Sequence, residues 1–406
     1  MATDVTDGIG AVDEETWARL AADAEPDAAH GYLLFRERLE PGTALLVTDD
    51  DDRGPVAAIH AVTAVTGTSL FSHPWKLLTE EQFLRLTPDD DATRIRAEHR
   101  TLLGALGPDA PESGDLADWL TTTVGEPLVV RTYDRSPLFT APDVDTTRRR
   151  QAGREVVATL QDLVRQGRAG AVVLPYVATD DELLRGLLEA AGFVRGSVTA
   201  ASALHLGGYP TYQAFLDGQN AETRRNYRLA EREVTRAGLQ VREVPLAEHV
   251  DRIVDLEART GERNGAAPNR PQLRAARAYL AAVLPGAIRV AVAGRSDAEV
   301  LACTVQMYGR HGCCTLGYGS DYDVTGTSVA YHHLVFGQPV ESCIRAGVPR
   351  YRLGFEAFAP KFRRGARVAK RELWLWTPDE RQRESFARLL RFLDERTTGH
   401  LAAYVR

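Results

Sequence analysis

Apolar and polar positions follow two rhythms along this chain, and each change of rhythm marks an element. Ala44–Thr48 and Val56–Ala64 alternate with a period of two, as strands do, and the Asp-rich stretch Asp49–Gly54 joins them. Asp and Gly suit that turn by their own backbone bonding, so its acidity needs no function. Tyr32–Arg38 reads as a strand or short helix, Thr79–Leu86 and Ala92–Leu106 as helices, and Leu128–Thr132 as a β-branched strand. Arg148–Gln166 then has helical spacing, with Val156, Val157, Leu160, Leu163 and Val164 on one face and Gly167–Gly170 as its stop. Ala171–Val177 reads as a buried strand. Asp180–Ala191 is a helix opened by Thr179–Asp181, and Val198–Leu206 is a further strand.

The second half repeats the order. Thr211–Leu216, Glu222–Ala237, His249–Gly261, Pro271–Leu284, Ser328–Ala346 and Glu380–Thr397 are helical in spacing. Leu239–Glu243, Ile288–Gly294, Val300–Tyr308, Cys313–Gly319, Tyr351–Leu353 and Glu372–Thr377 read as strands. This alternation predicts an α/β fold, a mixed sheet with helices on both faces. Repetition of the order suggests a duplicated layout. With 406 residues the chain has room for two domains. The expected division is a flexible acidic lead at 1–29, helical near Glu15–Ala22, then domains at 30–206 and 207–406.

Composition narrows the function classes. Forty-four percent of residues are hydrophobic and 26% charged, enough apolar material for real cores. No apolar run approaches the ~20 residues of a membrane span, and Met1–Glu15 lacks the basic and apolar regions of a signal peptide. A cytoplasmic protein without a membrane span is expected. The four cysteines form no Cys-x-x-Cys pair, and adjacent Cys313 and Cys314 on a strand point to opposite faces. Reduced buried thiols are expected, and no metal site. The net charge of −7 argues against general nucleic-acid binding. A local basic site remains open, because Pro360–Glu372 alone carries Lys361, Arg363, Arg364, Arg367, Lys370 and Arg371.

Three segments, in order, carry a family resemblance. They are the Arg-rich helix Asn220–Gly238, the run Gly317-Tyr-Gly-Ser-Asp-Tyr-Asp323, and Leu353-Gly-Phe-Glu-Ala-Phe-Ala-Pro-Lys-Phe-Arg-Arg-Gly-Ala366. Together they resemble the Fem-type branch of the GNAT superfamily of acyltransferases. The resemblance implies two tandem GNAT-like domains, with the active site in the C-terminal one. It also implies transfer of an acyl or aminoacyl group to an amine of a small metabolite, peptide or cell-wall precursor. The co-substrate would be aminoacyl-tRNA, whose acceptor end would then be a partner, or acyl-CoA, with no tightly bound cofactor. Aminoacyl-tRNA is the favoured donor. Alternatives are an acyl-CoA-dependent N-acetyltransferase, which requires a pantetheine tunnel between splayed strands near Thr315–Tyr318, and a non-catalytic binding protein with a degenerate fold.

Against that background the residues take candidate roles. Acyl-CoA enzymes of this kind hold pyrophosphate on a Gln/Arg-x-x-Gly-x-Gly/Ala loop opening a helix. Here Asp321–Ser328 has one Gly, no Arg and two Asp, and Arg150–Glu155 is only a partial match. Lys361, Arg363 and Arg364 are candidates to hold a phosphate or carboxylate, and Phe358 beside them offers a stacking surface. Arg224, Arg225, Tyr227 and Arg228 match the family's basic helix and are candidates for the same task. An attacking amine must be neutral, so a proton acceptor is required. Glu356 is a candidate, and Asp321 and Asp323 are alternatives to it. Tyr318 is a candidate donor to a developing oxyanion, and His332 is a candidate substrate-binding residue. Each has a structural alternative: a cap, an ion pair, a packed ring or a solvated face.

Overall fold

The computed structural model describes residues 3–22, 24–39, 42–63, 73–107, 110–111, 115–130, 136–325 and 330–404. The chain divides into two compact units, 1–200 with 369–406, and 201–368.

The first unit begins with β1 (Thr3–Thr6), α1 (Glu14–Leu20), α2 (His30–Leu39), β2 (Thr43–Asp51), β3 (Gly54–Thr63), α3 (Pro74–Thr79), α4 (Ala92–Gly104) and α5 (Leu116–Val124). It continues with β4 (Pro127–Val130), β5 (Leu138–Thr140), α6 (Thr146–Arg165), β6 (Ala171–Ala178), α7 (Glu182–Ala190) and β7 (Val194–His205), which enters the second unit after Ala200. The end of the chain returns as β13 (Arg367–Trp376) and α15 (Glu380–Leu401). Strand order is β1-β2-β3-β4-β6-β13-β7, with β5 beside β3. Strands β4 and β6 pair in parallel. Alternation divides the faces: Val172, Leu174, Trp374 and Trp376 join the core cluster of α1, α6 and α7, so their neighbours in sequence face the other way.

The lead expected to be flexible is part of this unit. Thr3–Thr6 pairs with Leu46–Asp49 of β2, Ile9 and Trp17 are buried, and the Trp17 indole donates to Ala28 O at 2.8 Å. A few well-spaced apolar residues suffice there, because backbone pairing hides in a polar sequence. Residues 369–406, expected in the C-terminal domain, belong to the first unit. Strand β13 pairs antiparallel with β6, a long-range match that sequence order conceals. Helix α5 and strand β5 were not expected. The helix expected at Thr79–Leu86 begins earlier as α3 and continues as a 3₁₀ turn at Glu81–Leu84. Ala64, Thr132 and Ser328, each at the edge of an expected element, lie outside the described residues.

The second unit contains α8 (Tyr212–Asp217), α9 (Ala221–Arg236), β8 (Gln240–Val244), α10 (Leu246–Arg263), α11 (Arg270–Val283), β9 (Ile288–Gly294), β10 (Ala302–Tyr308) and β11 (Cys313–Ser320). Then come α12 (Tyr322–Thr325), α13 (Gln338–Arg345), β12 (Arg350–Phe355) and α14 (Phe358–Phe362). Its strand order is β7-β12-β11-β10-β9-β8, antiparallel except for β11 and β12. Helices α9 and α13 cover one face through Tyr227, Val234, Val340 and Cys343. Helix α10 lies along the other, against β11. Asn220 caps α9 by accepting from Thr223 N, as the Asn before an amphipathic run should.

The single helix expected at Ser328–Ala346 is interrupted. His333–Gly337 is a π-turn, closed by Gln338 N to His333 O, and α13 follows. Pro339 gives the reason. It has no N–H to offer Val335 O, so that carbonyl accepts instead from the Tyr351 phenol at 2.6 Å.

Candidate active site

The second unit's parallel pair is short. Pairing between β11 and β12 runs over Cys313 with Tyr351 and Cys314 with Arg352, and ends there. Strand β11 continues to Ser320 along β10, with a bulge at Leu316, while β12 continues to Phe355 along β7. Two parallel strands that part beyond two residue pairs leave an opening. Thr315 and Tyr351 meet at its apex, their hydroxyls 2.6 Å apart.

On one side of β11 the glycines of the Gly-Tyr-Gly run make room for α10. A Cβ on Gly319 would lie 2.5 Å from Glu257 N, and one on Gly317 would collide with the Glu257 carboxylate. Glu257 and Arg277 form a buried bidentate pair, Nε to Oε2 at 2.9 Å and Nη2 to Oε1 at 2.7 Å. Sequence reading did not find this pair, because its members sit on different helices 20 residues apart. The glycines on the facing strand were the available signal.

Tyr318, between the glycines, is near Ser320 and Tyr331. Its ring meets Tyr331 edge-to-face at 5.0 Å, and burial pushes its phenol well above the ordinary range, leaving it a neutral donor. Asp321 is committed elsewhere, ion-paired at 3.4 Å with both Arg252 and Arg259 of α10. The expected pyrophosphate loop is described only as far as Thr325.

Beyond β12 the chain turns sharply. Gly354, Glu356 and Ala357 all have positive φ, of 70°, 55° and 48°. The last two lack glycine's freedom and need external support. Lys361 supplies it, its ammonium donating to the carbonyls of Gly354, Phe355 and Glu356 at 3.3, 2.8 and 2.7 Å. In this arrangement all three ammonium protons are used within the turn. Burial pushes Lys361 down to about 8, and Glu356 nearby acts in the opposite sense. Phe358 is buried, so it packs and offers no stacking face.

Arg364 is gripped on every side. Its Nη1 donates to Pro360 O at 2.9 Å, its Nη2 to His332 Nδ1 at 2.7 Å, and its guanidinium stacks over Phe336 at 4.5 Å. Its backbone carbonyl accepts from the buried Tyr227 phenol at 3.2 Å, and Arg363 O accepts from Thr223 Oγ1 at 3.1 Å. Burial and Arg364 together hold His332 down to about 4, so the imidazole is neutral. The structure therefore brings Glu356, Lys361, Arg364, Tyr227 and His332 together around residues 354–366. Tyr318 joins through Tyr331, and Asp321 does not join.

The basic helix divides. Arg224 turns back onto the carbonyls of Asp217 and Gln219. Arg225 and Arg228 are exposed, and Arg232 and Arg236 follow at helical spacing. At 3.6 residues per turn these four fall within an arc of about 80°, opposite the buried Thr223, Tyr227, Ala230 and Val234. Among the described residues none of the four has an ion-pair partner. The spacing of Arg232 and Arg236 was readable in the sequence and passed unused.

Among the described residues no cluster of His, Cys, Asp and Glu could hold a metal ion, and no helix is long and apolar enough to cross a membrane.

Residues 221–363 match a family model described as an acetyltransferase (GNAT) domain. Solved structures share the fold over most of the chain. FemX covers 91% of this chain and 96% of its own, at 10% identity and a TM-score of 0.55. The C-terminal domain of a putative lysylphosphatidylglycerol synthetase from Agrobacterium fabrum covers 92% and 95%, at 11% identity and 0.51. A conserved protein of unknown function from Bacteroides thetaiotaomicron covers 93% and 100%, at 10% and 0.51. A search of curated proteins found no match. The matched segment lies within the second unit, and the mixed sheet of the chain shares its fold with these solved structures. Residues 221–363 thus carry a GNAT acetyltransferase-type domain, and the likeness to FemX is one of fold.

Proposed function

We propose that the chain is an N-acyltransferase, moving an acyl or aminoacyl group onto an amine of a small metabolite, peptide or cell-wall precursor. The opening between β11 and β12, within the segment matching a GNAT domain, carries this reading. A neutral amine attacks the donor's carbonyl carbon, the new C–N bond forms, and the C–O or C–S bond to the carrier breaks. One amine proton leaves through an acceptor and finishes on the departing carrier. Alignment and oxyanion stabilisation supply the rate, and no covalent enzyme intermediate is needed. Glu356, beside Lys361 at the turn, is the acceptor favoured by position. Asp321 is disfavoured by its two arginine partners.

Aminoacyl-tRNA is the favoured donor, supported by the unpaired stripe Arg225, Arg228, Arg232 and Arg236. Helix rise sets Arg228, Arg232 and Arg236 about 6 Å apart along the axis, a reach suited to successive backbone phosphates. The second reading, an acyl-CoA donor, is favoured by the strand opening, which lies at Thr315–Tyr318 where a pantetheine arm is expected.

The test is incubation with labelled aminoacyl-tRNA and, separately, labelled acyl-CoA, over a panel of amines. RNase-sensitive transfer supports the first donor. Transfer from CoA alone overturns it, and transfer from neither overturns the acyltransferase reading.

A further inference from the structure

Resting on the acyl-transfer reading, we propose that His332 is a catalytic hydrogen-bond donor, presenting Nε2–H to the carbonyl oxygen that gains negative charge, and that Arg364 is the positioning residue that fixes this tautomer.

The tautomer follows from the partner. A guanidinium has only donors, so His332 Nδ1, 2.7 Å from Arg364 Nη2, must offer its lone pair. The ring's remaining proton then resides on Nε2. Arg364 cannot turn away easily, because Pro360 O, Phe336 and the Tyr227 contact to its own carbonyl hold it. A protonated imidazole would set two cations within hydrogen-bond distance in a half-buried place. The arrangement therefore favours a neutral ring that keeps its proton. Arg364 is the charged group facing it. Tyr331 and Phe336 of its own segment contribute only aromatic surface, and the Tyr227 phenol reaches Arg364 from α9.

Position supports the role. Tyr331, the preceding residue, packs on Tyr318 of the β11 segment that has parted from β12. Arg364 stands on the turn that follows β12. His332 thus links the two lips of the opening. Among the described residues Nε2 has no partner, and it is not sealed from solvent like His333 Nδ1. A fixed neutral N–H beside an opening for an acyl carbonyl is a pre-organised oxyanion donor, and it needs no rearrangement as charge develops. The same tautomer rules His332 out as the proton acceptor, because Nε2 has no free lone pair. That leaves the amine's proton to a carboxylate.

The first test needs no substrate. Nitrogen-15 NMR of the labelled full chain should show His332 as the Nε2–H tautomer, unchanged from pH 8 down to about 5. An Nδ1–H tautomer, or titration near 6.5, overturns the proposal. The second test is kinetic, with acetyl-CoA and aminoacyl-tRNA as the donors tried. His332→Ala should lower kcat about 10²-fold or more with little change in KM, and His332→Gln, which retains an N–H, should recover part of it. Arg364→Met should lower kcat and create a new pH limb near 6.5. An undiminished kcat in folded His332→Ala, or a folded His332→Gln no more active than His332→Ala, overturns the role alone. Failure of the wild-type chain to transfer from either donor overturns the role together with the reading on which it rests.

Discussion

Strands β4 and β6 of the first unit and β11 and β12 of the second are each parallel pairs joined through a helical crossover, and they differ in what the crossover carries. In the first, α6 is a regular helix of 20 residues. Asp145 caps it, accepting from Thr147 N and Arg148 N, so a carboxylate already occupies the end where an anion would bind. Arg148, one of the basic residues opening α6, is spent on the buried Asp49 at 2.6 Å. In the second, the crossover contains a π-turn, and its residues meet a strained loop held by lysine. π-turns inside helices cluster at functional sites. The same topology thus serves as framework in one unit and frames the candidate chemistry in the other. What separates them is local irregularity: Pro339, the three positive φ angles, and the early end of strand pairing.

The largest expected effect comes from breaking the second unit's strand–helix seam. Glu257→Gln leaves Arg277 buried without its anion and should cost about 3–5 kcal/mol in urea unfolding. If the loss is under 1 kcal/mol, the pair does not brace β11.

Lys361 sharpens the comparison through pH. In the fold it titrates near 8, and in the unfolded chain near the ordinary 10.5. Between those values the unfolded chain holds the extra proton, so stability should rise with pH across that window, by on the order of 3 kcal/mol. Lys361→Met should flatten that rise. An identical slope in both proteins would mean that the buried ammonium is not its source.

Next in size is a matched pair of glycine substitutions. Gly319→Ala drives a Cβ into the α10 backbone and should cost about 1–3 kcal/mol. Gly153→Ala in α6 meets the movable end of Leu187 at 2.6 Å and gains helix propensity, so its net change should be within about 1 kcal/mol. Equal losses in thermal unfolding would erase the distinction drawn here.

The smallest effect should come from the first unit's cap. Asp145→Ala should cost about 1 kcal/mol and leave acyl transfer unchanged. A collapse of activity would show that the α6 end takes part after all.

The sequence carried the rhythm of the elements well. Most strands and helices of the second unit stand where periodicity put them, as α9 does with Thr223, Tyr227, Ala230 and Val234 on one buried face, whereas the short helices α12 and α14 were not expected. Partition was harder to read. Strand β13 looks continuous with its sequence neighbours, yet pairs with β6, and pairing energy leaves no local trace. The lead was misjudged for a similar reason, since Ile9 and Trp17 are sparse anchors in an acidic stretch. Within the site, the order of Glu356, Lys361 and Arg364 was legible as a basic turn. Their division of labour was not, since an ammonium aimed inward at carbonyls and one aimed outward at a ligand read identically. Asp321 was misplaced because its arginine partners lie more than 60 residues earlier. Pro339 was the one visible sign of the π-turn.

Hydrogen exchange on the full chain, with and without donor, tests the central contrast most directly. Acetyl-CoA and aminoacyl-tRNA should be tried in turn. New protection is expected at 315–320 and 354–364, with 127–130 and 171–178 unchanged. Protection confined to the β4–β6 pair, or shared equally by both units, would contradict the account.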